Sequence, residues 1–150
     1  MAGLSFTLRL KSAPFPYEGP CEETGRPFFD TVDPVTGERA HTARHHLFAE
    51  SRHYCDDRVL FHVPPQFDPR RPAAIVLFFH GHLSALDEHV AGQLRIPEQI
   101  DRAARNVVLV APQLALRAVD SSPGKLSRPD GLCRLLDEAA ARLAEHLGRK

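Results

Sequence analysis

The stretch AAIVLFFHGHLS, residues 73–84, decides how the chain is read. Seven apolar residues run from Ala73 to Phe79 and stop at His80-Gly81-His82. A short run that is apolar on both faces, closed by a turn signal, is the pattern of a sheet strand covered by helices. The stop at His80 has three explanations. Two imidazoles around a glycine could open a metal site. The turn could be a strand end with a hydrogen-bonded histidine. Or Gly81, free to take positive φ, could let the chain bend and aim backbone N–H groups at an oxyanion.

Downstream the pattern changes period. Residues 85–105, ALDEHVAGQLRIPEQIDRAAR, place Val90, Leu94 and Ile100 at near-helical spacing, and Pro97 predicts a kink or two shorter helices. NVVLVAPQ (106–113) repeats the two-sided apolar strand. A loop carrying Asp120, Ser121, Ser122, Pro123 and Gly124 follows. The last segment, DGLCRLLDEAAARLAEHLG, predicts an amphipathic helix. Asp130 is placed to cap it, Leu132, Leu135, Leu136, Ala139, Leu143 and Leu147 form its apolar stripe, and Gly148 ends it. Two apolar strands joined by a helix imply a parallel, right-handed crossover.

Upstream the sequence is richer in turns, and most of the 13 prolines fall between Pro14 and Pro72. LSFTLRL (4–10) alternates as a strand with one wet face. FFDTVDPVTGERA reads as two short strands about the turn at Asp33-Pro34-Val35-Thr36-Gly37. RHHLFAE and DRVLFHVP are further strands. Residues 1–66 are therefore expected to form an antiparallel β-meander, and 67–150 a βαβα segment of the same single domain. The fold class is α/β.

Composition narrows the function. The chain has 150 residues, 43% hydrophobic and 25% charged, with 19 basic and 19 acidic side chains. A net charge of zero argues against nucleic acid and membrane surfaces as partners. No apolar run approaches the roughly 18 residues of a membrane span. The N-terminus lacks the pattern of a secretory signal. Cys21, Cys55 and Cys133 are odd in number and unpatterned, which fits a cytoplasmic setting without disulfides and with cysteines as small buried hydrophobes. No cofactor is implied.

Other motifs carry less. Gly124-Lys125 lacks the glycine a phosphate-binding loop requires five residues before that pair, where Val119 stands. His41, His45, His46 and His53 crowd one hairpin without ligand spacing and are expected to be solvated. Glu98, Asp101, Asp137 and Glu138 read as solvated helix charges. His80 and His82 do not continue into the His-x-His-x-Asp-His pattern of metallo-β-lactamase-like hydrolases, because Ser84 and Ala85 occupy its last two positions. No metal ligands are assigned.

AAIVLFFHGHLS resembles the strand and His-Gly loop of α/β-hydrolases, where an oxyanion loop follows such a strand. The helix, the strand NVVLVAPQ, the loop of residues 120–125 (Asp-Ser-Ser-Pro-Gly-Lys) and the final helix follow in the same order, as in a poorly characterised bacterial subgroup. The resemblance covers roughly residues 56–148, with 5–66 as preceding strands. It implies that His80 and Gly81 shape the turn, that backbone N–H groups at His82 and Leu83 serve the oxyanion, and that Asp120, Ser121 and Ser122 line the crevice. It also implies a Gly-x-Ser-x-Gly nucleophile turn, which none of the serines here matches, and a triad that would follow residue 148. The chain is thus expected to be the N-terminal part of an esterase-type serine hydrolase, inactive alone. Strand Ala73 to Phe79 would then be an exposed edge that self-associates or receives a complementing C-terminal half. The alternatives are a non-catalytic interaction module using that edge, and a metal-dependent hydrolase through His80 and His82.

Overall fold

A computed structural model describes residues 3–148. Seven strands appear in chain order: β1 (Leu4–Arg9), β2 (Thr31–Val32), β3 (Arg39–Ala43), β4 (His46–Ala49), β5 (Arg58–Val63), β6 (Ala74–Leu77) and β7 (Val107–Pro112). The α-helices are α1 (Glu50–His53), α2 (Ile96–Asp101) and α3 (Gly131–His146). A π-helical segment, Leu86–Gln93, and a 3-10 turn, Gly124–Ser127, complete the elements.

The main sheet is mixed, in the order β1-β5-β7-β6. β1 and β7 both run antiparallel to β5, whereas β6 runs parallel to β7. The fold is broadly α/β. The one meander that alternation alone predicts for residues 1–66 does not form among the described residues of that range. β2, β3 and β4 make a separate three-stranded antiparallel sheet, while β1 and β5 join the main sheet. Alternation fixes which face a strand buries but carries no information about its neighbour. Here β1 skips three strands to pair Ser5 with His62 and Phe6 with Phe61.

β7 is the central strand of the core, and all six of its residues are buried. On one face Val108 and Val110 join Val59, Phe61 and Val63 of β5 beneath Leu135, Ala139 and Leu143 of α3. On the other face Val107, Leu109 and Ala111 meet Leu60 and are covered by Leu86, Val90 and Ile100. Each helical layer presents its apolar residues at helical spacing, so both faces of β7 lose water, which explains its unbroken apolar run.

β6 is different. Its sequence is as apolar as that of β7, yet among the described residues it bonds only β7 and lies at the sheet's edge. Ala74 and Val76 are exposed, and Phe79 beyond them is 44% exposed.

The 85–105 region forms two short helical pieces, as Pro97 predicts. The break falls at Arg95, which takes φ 50°, and Pro97 then sits in the first turn of α2, where a missing N–H costs nothing. Two details of α3 differ from expectation. Asp130 adopts φ 59° and its side chain makes no capping bond, and Leu132 is 43% exposed rather than in the stripe. Gly148 takes φ 71° and donates to the Glu145 carbonyl, the expected left-handed stop. Two of the three cysteines, Cys55 and Cys133, are exposed rather than buried. No helix among the described residues is long and apolar enough to cross a membrane.

Candidate functional site

The loop after β6 is held by a buried polar hub. Phe78 N–H still bonds the Val110 carbonyl, so the strand pairing continues to the edge of the turn. His80 then turns inward and is 6% exposed. Its Nε2 accepts from the Leu114 backbone N–H at 2.9 Å and shares its lone pair with the Gln113 amide at 2.7 Å. The proton therefore resides on Nδ1, which donates to the Gly81 carbonyl at 2.8 Å. Burial, with repulsion from His89 adding to it, lowers the His80 pKa below its ordinary value despite the Gly81 bond. The neutral ring thus pins the loop after β6 to the end of β7.

Gln113 completes the hub. It is wholly buried, and its Oε1 accepts the N–H of Leu86 at 3.0 Å. One side chain therefore links the end of β7, the histidine and the first residue of the π-helical segment. Nothing in the periodicity of NVVLVAPQ announces this role. Its only trace is a polar residue immediately after six buried ones.

The turn is made differently from the expectation placed on Gly81. Gly81 does not have positive φ, and a Cβ built there would meet nothing within 4 Å. The left-handed residue is Leu83, at φ 58°. Its N–H donates to the Ala118 carbonyl at 2.9 Å, so it is not free to serve an oxyanion. The N–H groups of Gly81 and His82 have no protein partner among the described residues. They lie on an exposed loop at the carboxyl end of β6, where ligands of open α/β sheets bind.

The loop after β7 faces this turn. His82 Nε2 bonds the hydroxyl of Ser121. Asp120 accepts from Tyr54 Oη at 2.8 Å and from the backbone and hydroxyl of Ser122 at 2.9 and 2.6 Å. Burial, reinforced by the Asp120 carboxylate, pushes the Tyr54 phenol far above its ordinary range, so it stays a donor. Ser121 and Asp120 also border a cleft of about 250 Å³ that Arg26, Asp30, His41 and Arg44 help to line. Asp120, Ser121 and Ser122 are thus brought beside His82 as a crevice wall, whereas His80 faces the interior.

Among the described residues this arrangement leaves two backbone donors without a protein partner and holds no serine triad. Ser84 is buried and bonds the His82 carbonyl. Ser121 has an imidazole partner, yet no carboxylate bonds His82 among the described residues. The two histidines turn to different elements, and no group of three or more His, Cys, Asp or Glu among the described residues is placed to hold a metal.

Of the four crowded histidines one is buried and another is half-buried. His41 is 6% exposed and bonds the Phe28 carbonyl, and His53 bonds the Leu116 carbonyl. Three helix acids are partnered as well, Glu98 by Arg95 Nε at 3.1 Å. Glu138 accepts the N–H groups of Lys11 and Ser12 at 3.0 and 2.7 Å. Asp101 accepts from His62 Nε2 at 2.7 Å, and His62 Nδ1 lies 2.6 Å from Ser5 Oγ. This serine–histidine–aspartate relay stands apart from the loop at His80. Its members are 57 and 39 residues apart, beyond the reach of any local pattern.

No known protein family, curated protein or solved structure matches the chain.

Proposed function

We propose that this chain is the oxyanion-loop part of an α/β-hydrolase-like serine hydrolase of esterase type, whose nucleophile is carried on a further strand paired outside β6. The chain alone is inactive at that site. The reaction of the completed site would be acyl transfer to water through a serine ester. Gly81 and His82 would offer N–H groups to the oxyanion, and His80 and Gln113 would hold the loop in place. Leu83 would shape the turn through its left-handed backbone.

The observation that carries this reading is the open edge of β6 combined with the sidedness of the helices. The crossover from β6 to β7 uses helices on one face and moves inward along the sheet. α3 leaves β7 on the opposite face. A right-handed crossover on that face moves in the reverse direction, back past β6. A parallel strand entered from α3 therefore lands against the unpaired side of β6. Its carboxyl end would arrive beside His82 and the Asp120 loop, which is where a nucleophile needs to stand.

The same edge supports a second reading, an interaction module in which a strand of another chain pairs with β6 and no chemistry follows. Co-expression with the polypeptide encoded directly downstream separates the two. The hydrolase reading expects a strand and a Gly-x-Ser-x-Gly turn there, a stable complex, and p-nitrophenyl ester turnover only when both parts are present. Rapid turnover by the isolated chain carrying Ser5→Ala would refute it, because a complete site would then lie within these residues. A complex without turnover would favour the interaction module.

A further inference from the structure

We propose that Ser5 is an activated nucleophile, acylated or phosphonylated by ester and phosphonyl-fluoride electrophiles, with His62 as its general base and Asp101 as the residue that positions the ring. Ser5 and His62 are a directly opposed cross-strand pair of β1 and β5, so their side chains share one face. α2 packs on that face and ends at Asp101. The geometry follows from these placements. Ser5 Oγ is 2.6 Å from His62 Nδ1, and His62 Nε2 is 2.7 Å from Asp101 Oδ1.

The protonation pattern follows from the partners. A carboxylate only accepts, so Nε2 carries the ring proton and donates it to Asp101. Nδ1 of the neutral ring then accepts from the Ser5 hydroxyl. This is the arrangement that activates a serine in hydrolases, with the two ring nitrogens exchanged, and both nitrogens are competent bases. His62 is buried at 3% exposure, whereas Ser5 is exposed on the outer strand, so the base is shielded and the nucleophile is reachable. The bond from His62 holds the Asp101 carboxyl below its ordinary pKa, and burial only partly opposes this. Gly3 lies over the pair. A Cβ there would come within 2.4 Å of Asp101 Oδ1 and 2.6 Å of His62 Nε2, and the Gly3 N–H points to Asp101 Oδ2 at 3.4 Å. The relay is thus closed on its inner side and open at the hydroxyl.

In the step itself, Ser5 Oγ attacks the electrophilic carbon or phosphorus as its proton passes to His62 Nδ1. The new O–C or O–P bond forms while the bond to the alkoxide or fluoride breaks. The leaving group departs with the electron pair, and an alkoxide recovers the proton from His62. This site lies at the end of the sheet away from the His80 loop, and it does not depend on the function proposed for that loop.

The test is labelling of the full chain with a fluorophosphonate probe, mapped by mass spectrometry. General-base assistance contributes about 10²–10⁴-fold, so Ser5 should label at least a hundredfold faster than Ser51. Ser51 is an exposed serine close to the Glu38 carboxylate. The labelling rate should depend on pH, as general-base assistance requires. Ser5→Ala, at an exposed position, should remove the label. Asp101→Asn should cut the rate at least tenfold and alter the pH profile, as should Gly3→Ala by displacing the carboxylate. Labelling of Ser5 no faster than Ser51, or a rate indifferent to both Asp101→Asn and pH, overturns the proposal even if His62 variants fail to fold.

Discussion

Replacing Gln113 with leucine tests whether the loop after β6 is held by the buried hub. Leucine nearly matches glutamine in size, so packing around a side chain of 0% exposure changes little. The polar accounting changes more. The Leu86 N–H loses its acceptor, Gln113 Oε1, within a residue that is itself fully buried. The Leu114 carbonyl loses the amide that lies 3.3 Å away. His80 Nε2 keeps the Leu114 N–H, and the Ser84 carbonyl keeps the Arg117 N–H. One buried donor is thus stranded and one half-buried acceptor weakened. A stranded buried group costs about 1–3 kcal/mol, so the variant should lose about 2–3 kcal/mol in total. For a chain of this length that lowers Tm by about 4–12 °C. Urea denaturation followed by circular dichroism measures the loss, and hydrogen exchange at the Leu86 amide locates it. A stability within about 0.5 kcal/mol of wild type, or an unchanged Leu86 amide, would refute the hub.

Other outcomes follow from the same structure. Burial, with His89 nearby, depresses the His80 pKa, so the unfolded chain binds that proton first as pH falls. Its contribution is full above about pH 6.5 and is lost as pH drops through the lower folded value. The stability difference between wild type and His80→Gln should therefore shrink between pH 7 and 5; urea midpoints in that range that stay parallel would contradict it. Val76, 36% exposed on the edge strand, becomes a gatekeeper when changed to lysine. Size-exclusion chromatography should show wild type self-associating and Val76→Lys shifting toward monomer; a cooperative, monomeric wild type would remove the premise. Tyr54→Phe removes one bond to Asp120 and should cost about 1–2 kcal/mol, because the carboxylate keeps Ser122. Leu109→Ala opens a cavity at the centre of β7 and should cost about 2–5 kcal/mol by chemical denaturation.

The period of the sequence determined the elements themselves. A repeat of two and a repeat of 3.6 are local properties, so β1, β5, β7, the broken helical region around Pro97 and α3 with its Gly148 stop could all be read along the chain. The stop at His80 was legible as a turn at a strand's end, whereas the two-sided apolar run of β6 pointed to a covered strand, and its edge position was only what the resemblance implied. What only the tertiary structure decided is which elements meet. β1 could have paired with its neighbour in sequence, but its apolar face found a better partner in β5, and this split the expected meander into two sheets. The same pairing sets Ser5 against His62 and lets α2 bring Asp101 to them. Likewise, Gln113 reads only as a polar residue after an apolar strand until folding buries it. Desolvation then obliges its amide to find partners in Leu86 and His80. Such polar contacts join residues far apart in the chain, and no local periodicity records them.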